Sequence, residues 1–201
     1  ADRGGSIVVC APTLYPQASI SFQRTLGRVR PICRPLGIPV KVDGSSIRCG
    51  NASATFLSGS SQANVAGHTA SLLLIGDEAQ DLEEDWFNRQ FRPMTASTGA
   101  ATVLFGTPWE DDSLLEKAAA HNRKRDASEA AATSIRWHYE VGWRQVAEIV
   151  PAYGRFVEQQ RVRLGVSHPV FRSQYELLAG QPARRLLSSE QLDSVRGTHP
   201  P

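Results

Sequence analysis

The chain has 201 residues, which is enough for one sizeable domain with its own hydrophobic core. Its 41% hydrophobic and 21% charged residues are typical of a globular protein, and the net charge of +2 does not by itself indicate a nucleic-acid partner. No apolar run approaches the ~20 residues that span a bilayer, and no signal peptide opens the chain, so we expect no membrane association.

The first part of the chain predicts one buried strand, one helix and three short strands. The apolar, β-branched run "SIVVCAPT" at 6–13 predicts the buried strand. Apolar residues at helical spacing predict a helix over 16–29, and the three prolines between 31 and 39 predict a loop after it. A turn at Gly50-Asn51 separates the last two of the short strand candidates, which are 40–42, 46–49 and 54–59.

The second part alternates strand and helix patterns before becoming mostly helical. Residues 72–76 predict a buried strand, and 81–91 predict a helix with an acidic first turn. A second buried strand is predicted over 99–109, ending in Gly-Thr-Pro, and a helix over 111–132. The remaining predictions are one strand and then three helical segments: 134–141, 143–165, 168–180 and 188–195.

The alternation of strands and helices predicts an α/β fold with a mostly parallel sheet flanked by helices. In such a sheet, ligands bind at the C-terminal ends of the strands. Three segments rich in polar or turn residues, "CAPT", "GDEAQ" and "FGTPW", follow directly after strand-like runs. We therefore expect them to share one edge of the sheet and to form a site there.

The three cysteines and five histidines predict neither a disulfide framework nor a zinc site. Cys10, Cys33 and Cys49 are odd in number and lack CxxC spacing, which predicts free thiols in a reducing compartment. The histidines are scattered, with no pair at the spacing typical of zinc ligands.

The segment "SLLLIGDEAQDL" at 71–82 carries the clearest chemical signal. Its aliphatic run ends in two adjacent acids, Asp77 and Glu78, which is the pattern of a Walker B motif. The first acid of such a motif holds Mg²⁺, usually through a water, and the second orients or deprotonates the attacking water. The alternative is purely structural, because Asp77 or Asp81 could cap the helix that follows.

The order and spacing of the motifs resemble the motor domain of phage and prophage terminase large subunits, which are ATP-driven DNA-packaging motors. Residues 7–18, with "APT…Q", resemble the second strand of that domain, and 67–82 resemble its Walker B strand with the lead-in loop. Residues 102–115 resemble the coupling motif and the helix after it. Residues 150–177 resemble the segment by which these motor domains close before the nuclease.

The resemblance implies an ASCE-type P-loop NTPase fold and an ATPase that uses ATP and Mg²⁺. Asp77 would position Mg²⁺ through a water, Glu78 would activate the attacking water, and Gln80 would contact that water or link to Thr107. Thr107 would couple hydrolysis to DNA movement. The implied partners are double-stranded viral DNA, the portal protein, the small terminase subunit and further copies in a homo-oligomeric ring, in the cytoplasm of a bacterial host.

The sequence departs from this family in lacking a phosphate-binding loop. Such a loop ends in Lys-Ser or Lys-Thr, and none of the three lysines precedes Ser or Thr. The resemblance implies that the loop lies upstream of Ala1 and the nuclease domain after Pro201. We therefore expect a partial ATPase core over 1–142 and a helical closing segment over 143–201, a fragment that binds ATP weakly or not at all on its own.

Two other functions remain open at the level of sequence. A helicase-like DNA translocase would use the same acids, although "GTP" at 106–108 stands where a helicase carries a Ser-Ala-Thr-type motif. A non-catalytic, degenerate DNA- or partner-binding remnant is the second alternative. We also expect Trp109 to be a core aromatic, and the charged run 121–125 to be a solvated face rather than a DNA contact or an arginine finger.

Overall fold

A computed structural model describes residues 4–63, 65, 67–129 and 135–180. Within these residues the chain forms two compact units. The first comprises the residues up to Thr107 together with Ser113–Leu115. The second comprises Pro108–Asp112 and the residues from Glu116 onward. The functional division predicted at residue 142 stays a prediction.

The first unit is built on a mixed, mostly parallel six-stranded sheet. Its strands are β1 Ser6–Ala11, β2 Val40–Asp43, β3 Ser46–Cys49, β4 Ala52–Ser58, β5 Leu73–Gly76 and β6 Ala101–Leu104, and their order in the sheet is β2-β3-β4-β1-β5-β6. Strands β4, β1, β5 and β6 are parallel neighbours, whereas β2 and β3 pair antiparallel and extend the sheet beyond β4. The predicted α/β fold class is therefore confirmed.

Each face of the sheet has its own cluster of buried side chains, because successive side chains of a strand point to opposite faces. Val8 and Cys10 of β1 belong to one buried cluster, and Val9 and Ala11 belong to another. The helix Glu84–Gln90 and the turn after it add Phe87, Phe91 and Met94 to the first cluster. The helix Ser19–Cys33 adds Phe22 and Leu26 to the second. Burial of each large apolar side chain contributes roughly 1.5–3 kcal/mol relative to exposure.

The described residues form six α-helices, which are α1 Ser19–Cys33, α2 Glu84–Gln90, α3 Leu114–Glu129, α4 Trp143–Ile149, α5 Pro151–Leu164 and α6 Pro169–Gln174. They follow the order of the predicted helices, but the single helical segment predicted over 143–165 is divided into α4 and α5, because Pro151 cannot continue α4 and instead begins α5. The helix predicted over 188–195 lies outside the described residues. In the part of the chain that the structure describes, no helix combines the length and apolar character needed to cross a membrane.

Helix α1 continues through Pro31, where the sequence predicts a loop. Proline cannot donate the hydrogen bond that the carbonyl of Gly27 would otherwise accept, and its ring crowds that carbonyl. Both residues are exposed, so water can satisfy that carbonyl, and the N–H of Arg34 still bonds to the carbonyl of Arg30. The left-handed conformation of Gly37, at φ 64°, ends the short turn that follows α1.

The strand predicted over 134–141 is wrong for the residues that the structure describes there, 135–141. Their backbone donors are taken by a side chain of α3 and not by a neighbouring strand. The carboxylate of Asp126 accepts from the N–H groups of Trp137 at 2.7 Å and His138 at 3.1 Å. Asn122 donates to the carbonyl of Trp137 at 3.1 Å, and Arg123 pairs with Glu140 at 2.8 Å. Side chains of α3 thus hold this segment, which pairs with no strand among the described residues.

Helices α4, α5 and α6 of the second unit pack around Trp143, Val157 and Phe171. Hydrogen bonds also link the start of α4 to Glu176, which follows α6. The carboxylate of Glu176 accepts from the Arg144 guanidinium at 3.0 and 3.1 Å and from the indole N–H of Trp143 at 3.2 Å. The hydrogen bonds of Arg144 lower the pKa of Glu176, partial burial opposes this, and the Trp143 bond lowers the pKa further.

This contact predicts that the second unit loses stability in acid. The pKa of Glu176 is lower in the folded state, so its contribution is fully present above the unfolded carboxyl pKa of about 4.3 and is lost as the pH falls through the folded value. We expect Glu176→Gln to lower the Tm at pH 7 and to flatten its fall below about pH 5. Thermal unfolding of the chain across pH tests this, with Glu148→Gln on the exposed side of α4 as the matched control. Equal pH profiles for the two variants would contradict the assignment.

Candidate functional site

The C-terminal ends of β1, β5 and β6 lie side by side at one edge of the sheet. The N–H of Asp77 donates to the carbonyl of Cys10 at 2.8 Å, which extends the pairing of β5 with β1 by one residue. The N–H of Phe105 donates to the carbonyl of Gly76 at 2.8 Å and likewise extends the pairing of β6 with β5. The segments "CAPT", "GDEAQ" and "FGTPW" therefore leave the sheet at a common edge, as predicted.

The segment after β1 forms a closed turn at this edge. Both the N–H and the hydroxyl of Thr13 donate to the side-chain oxygen of Gln17, at 3.1 and 2.9 Å. Ala18, directly after it, is fully buried against the sheet and leads into α1. The "APT…Q" pattern thus has a local structural basis, because Gln17 holds the chain as it turns from the strand into the helix.

Asp77 is half-buried and lies between the sheet and α1. Its Oδ2 accepts a hydrogen bond from the hydroxyl of Ser21 at 2.7 Å. Phe22 and Leu26 are buried against the sheet, which fixes α1 and therefore the position of Ser21. Within the described residues, Asp77 forms no ion pair with Lys or Arg. The carboxylate is held in place, and no Lys or Arg among the described residues compensates its charge.

Glu78 has the left-handed backbone conformation that is uncommon for a residue with a side chain, at φ 51° and ψ 48°. Backbone hydrogen bonds of the two residues beside it hold Glu78 in this conformation. The N–H of Asp77 is tied to the carbonyl of Cys10, and the N–H of Ala79 is tied to the carbonyl of Phe105 at 2.8 Å. Holding a residue in this region costs of order 1–3 kcal/mol and is found most often at functional sites. The conformation leaves the Glu78 side chain exposed at the sheet edge.

Gln80 connects the residues predicted for the site. Its side-chain amide donates to Oε2 of Glu78 at 2.7 Å, and its carbonyl accepts from the backbone N–H of Thr107 at 3.3 Å. A Cβ on Gly106 would lie 2.1 Å from that carbonyl oxygen, so a glycine is needed for the approach. The structure thus joins Glu78, Gln80 and Thr107 through hydrogen bonds, whereas Asp77 is anchored separately by Ser21.

A third carboxylate, Asp81, adds to the negative charge of this edge. Burial raises the pKa of Asp81, the charge of Glu78 raises it further, and a long hydrogen bond from Gln80, at 3.4 Å, partly opposes the rise. Among the residues described, neither Glu78 nor Asp81 forms an ion pair. Like charges collected without a basic partner favour a bound cation or a proton.

The donor set fits a partial Mg²⁺ site. Magnesium prefers oxygen ligands and is commonly held by one or two carboxylates, several waters and substrate phosphates. The carboxylate of Asp77 can supply the protein's oxygen ligand for such a site. No group of three or more His, Cys, Asp or Glu side chains in the described ranges could enclose a metal ion. The remaining ligands would have to be water and phosphate oxygens.

Ser21 is the residue that the sequence analysis missed. It lies on α1, 56 positions before Asp77, and only the packing of that helix brings the two together. A weak signal was available, because Ser21 is a small polar residue beside Phe22 on the face of α1 that covers the sheet.

The expectations for Trp109 and for the charged run 121–125 also change. Trp109 is 44% exposed and so is not a core aromatic, and two arginines of the run 121–125 are engaged within the second unit.

The contacts of those arginines are specific. Arg123 lies 3.8 Å from Glu116 and 2.8 Å from Glu140. The guanidinium of Arg125 stacks on the ring of Trp137, 3.6 Å from its centroid. The charged run is therefore more than a solvated face, since part of it holds the segment 135–141 against α3.

Comparison with known proteins gives structural but no sequence-level matches. No protein-family profile matches the chain. No curated protein matches it in sequence. Among solved structures, the large terminase ATPase domain of Thermus phage P74-26 superposes with a TM-score of 0.66 at 15% identity, covering 87% of this chain and 76% of that one.

Two further large terminases are also similar in structure. That of bacteriophage HK97 has a TM-score of 0.62 at 16% identity and covers 89% of this chain and 40% of its own. That of a thermophilic bacteriophage, in complex with ATP-gamma-S, has a TM-score of 0.54 at 10% identity and covers 89% and 40%. The structural neighbours of this chain are thus phage large terminase ATPase domains, and it has their P-loop NTPase-like fold.

Proposed function

We propose that this chain is the greater part of the ATPase motor domain of a phage or prophage large terminase. In this role it couples hydrolysis of Mg²⁺-ATP to the translocation of double-stranded viral DNA into a procapsid. The observation that carries the proposal is the hydrogen-bonded row Glu78–Gln80–Thr107 beside the anchored carboxylate of Asp77, at the ligand-binding edge of a terminase-like sheet. The ADP and ATP-gamma-S complexes of the thermophilic bacteriophage's terminase support nucleotide as the ligand.

Glu78 acts as the base in this proposal. Gln80 holds one carboxylate oxygen, Oε2, while Oε1 has no hydrogen-bond partner within the described residues. Oε1 therefore accepts a proton from the attacking water, whose oxygen bonds to the terminal phosphorus as the bond to the ADP leaving oxygen breaks. The hydrogen bond from Gln80 orients Glu78 and stabilises its negative charge.

Asp77 takes the metal-positioning role. Its carboxylate would hold Mg²⁺ through a water, with Ser21 fixing its orientation. When bound, the ion neutralises charge on the phosphates during transfer. No lysine of these 201 residues precedes Ser or Thr, so the phosphate-binding loop would have to come from outside them. We propose that the chain alone has little or no ATPase activity.

Thr107 is the proposed link between hydrolysis and movement. Its N–H bonds to the same Gln80 side chain that holds Glu78, so a change in the position of Glu78 is transmitted to the segment after β6. The proposed partners are the portal protein, the small terminase subunit and neighbouring copies in a ring. The proposed location is the cytoplasm of a bacterial host.

The test uses the full-length gene product that supplies a phosphate-binding loop. We expect double-stranded DNA of any sequence to stimulate ATP hydrolysis. The stimulation should fall as the salt concentration rises, because a packaging motor must contact the phosphates and not the bases. A strand-displacement assay distinguishes the helicase-like alternative, which predicts separation of the strands. Absence of ATP turnover in a protein that binds DNA would support the non-catalytic alternative and contradict the proposal.

The close approach at Gly106 gives a mutational prediction. In Gly106→Ala, the new Cβ would displace the side-chain amide of Gln80. The hydrogen bond that its N–H group donates to Glu78 and the one that its carbonyl accepts from Thr107 would then break. A displacement of this size is expected to lower ATP turnover by about 10²-fold. Gln80→Ala should act in the same direction without added volume. Gly27→Ala on α1, where a Cβ meets nothing within 4 Å, is the matched control, and an equal loss there would contradict the prediction.

A further inference from the structure

Strand β2 lies at one end of the sheet, and its outer edge carries unpaired backbone groups. The N–H of Gly50 donates to the carbonyl of Pro39 at 3.3 Å, so these residues form a hydrogen-bonded pair of the antiparallel ladder between β2 and β3. In such a ladder, every second pair is hydrogen-bonded. Lys41 and Asp43 therefore bond to β3, whereas the N–H and carbonyl of Val42 point outward, away from β3. Within the described residues, no strand pairs with this outer edge.

The side chains of β2 alternate between the two faces of the sheet. Val40 packs against the buried cluster that includes Phe22 of α1, and Val42 pairs with Ile47 of the same cluster. Val42 thus points to the face that α1 covers, yet it is 44% exposed, because among the described residues no further strand lies beside it. The two residues that alternate with these valines are charged, exposed and on the opposite face: Lys41 and Asp43. The outer edge therefore has one apolar and one charged face.

The charges on the second face are not balanced within the described part of the chain. Lys41 lies directly opposite Arg48 of β3, and like charges in directly opposed positions destabilise a sheet. Asp43 lies opposite Ser46, which carries no charge. Among the described residues, none of these three charged side chains forms an ion pair. The edge thus presents two cations that an acidic group could neutralise and one acid that a basic group could neutralise.

We propose that two copies of this chain associate through β2, in an antiparallel pairing centred on Val42 of each copy. The N–H of Val42 donates to the carbonyl of Val42 in the second copy, and two-fold symmetry supplies the reciprocal bond. This register places Lys41 of each copy opposite Asp43 of the other, so that two pairs of opposite charge form. Each acid also brings a negative charge to the edge where Lys41 and Arg48 oppose each other.

Hydrogen bonding and charge together select this register. A shift by one residue would set the outward groups of one copy opposite residues that already bond to β3, so no new ladder could form. A shift by two residues would restore the hydrogen bonding. It would, however, place Lys41 opposite Lys41 or Asp43 opposite Asp43, and both arrangements are repulsive.

The other face of the paired strands adds apolar contact. The two Val42 side chains lie next to each other at the two-fold axis and are removed from water together. The segment that leads into β2 exposes three further apolar side chains, those of Ile32, Leu36 and Ile38. Exposed apolar groups near a free strand edge are typical of an interaction surface.

This pairing is separate from the proposed ATPase function and does not rest on it. It is isologous and closes at two copies, whereas the subunits of a ring make head-to-tail contacts. Strand β2 is separated from β5 by three other strands, so the pairing uses none of the residues assigned to the nucleotide site. A failure of either proposal therefore leaves the other standing.

Sedimentation equilibrium of the 201-residue chain, over protein concentrations up to the millimolar range, tests the proposal. We expect a reversible equilibrium between monomer and dimer. Lys41→Asp should raise the dissociation constant of the dimer by about tenfold or more, because two pairs of opposite charge become two pairs of like charge. Asp43→Lys should have the same effect for the same reason. Lys124→Asp and Asp85→Lys make equal charge changes at exposed sites on other elements, and they are the matched controls.

Two combinations of these variants test the register itself. The chain that carries both Lys41→Asp and Asp43→Lys should dimerise like the wild type, because the two charges have only exchanged places. An equimolar mixture of the Lys41→Asp chain and the Asp43→Lys chain should form a mixed dimer, since one edge then carries two acids and the other carries two bases. Formation of the mixed dimer also shows that both single variants are folded.

Four results would overturn the proposal. One is a wild-type chain that stays monomeric throughout the concentration range. Another is a dimer that the single variants at Lys41 and Asp43 weaken no more than the controls do, which would place the contact elsewhere on the chain. The third is a mixture of the two single variants that does not associate. The last is assembly of the wild type beyond two copies, because a two-fold contact through β2 ends at the dimer.

Discussion

Replacing Glu78 by Gln is expected to lower ATP turnover of the full-length protein by about 10²- to 10⁴-fold, the usual contribution of a general base. The substitution keeps the size of the side chain, and its carbonyl oxygen can still accept the hydrogen bond from Gln80. The amide cannot take a proton from water. Nucleotide affinity should stay close to that of the wild type, because Glu78 faces the water in our proposal and not the phosphates.

The measurement is steady-state ATP hydrolysis alongside equilibrium binding of a fluorescent nucleotide. Glu83→Gln is the matched control, since Glu83 is an exposed carboxylate five residues further along the chain. Its turnover should equal that of the wild type. Normal turnover in Glu78→Gln would remove Glu78 from the role of base, and a parallel loss of nucleotide binding would assign it to binding instead.

Replacing Asp77 by Asn is expected to raise the Mg²⁺ concentration needed for half-maximal turnover by about 10- to 100-fold, the usual effect of losing a partner that acts on the metal through its ligands. An amide oxygen can still accept the hydrogen bond from Ser21, so the local structure should be kept. What is lost is the negative charge, which no Lys or Arg among the described residues compensates in the wild type.

Titration of turnover with Mg²⁺ and then with Mn²⁺ checks this prediction. Asp85→Asn, on the exposed face of α2, is the matched control and should leave the Mg²⁺ requirement unchanged. Ser21→Ala should shift the requirement in the same direction as Asp77→Asn but less, because the charge remains while its orientation is lost. A wild-type Mg²⁺ titration in Asp77→Asn would contradict the metal-positioning role.

The position of Asp77 and Glu78 at the end of a strand follows from local sequence alone. An apolar run that stops at Gly76 and continues in two acids predicts a buried strand with a polar end, and β5 ends at Gly76 as expected. The turn at Gly50-Asn51 was equally predictable, since it separates two short β-prone runs. In each case the deciding residues lie within about ten positions of one another, so side-chain periodicity and turn preference are sufficient.

The segment 135–141 shows where periodicity fails. Its alternating pattern is typical of a strand, yet Asp126 and Asn122 of α3 bind its backbone instead. A strand exists only if a neighbour supplies hydrogen bonds along its length, and a sequence pattern does not say whether that neighbour is present. The continuation of α1 through Pro31 has a similar origin, because exposure to water decides whether one missing hydrogen bond ends a helix.

The sequence by itself determined the α/β class, the strands that end in polar segments, and the two acids at the end of β5. Only the tertiary structure decided how those segments combine. Because β6 is the neighbour of β5, Thr107 meets Gln80 across 27 positions, and because α1 covers the sheet, Ser21 meets Asp77 across 56. The left-handed turn of Glu78 depends on hydrogen bonds that its neighbours make to β1 and to Phe105, the residue after β6. Contacts at such separations follow from strand order and helix packing, which local preferences do not encode.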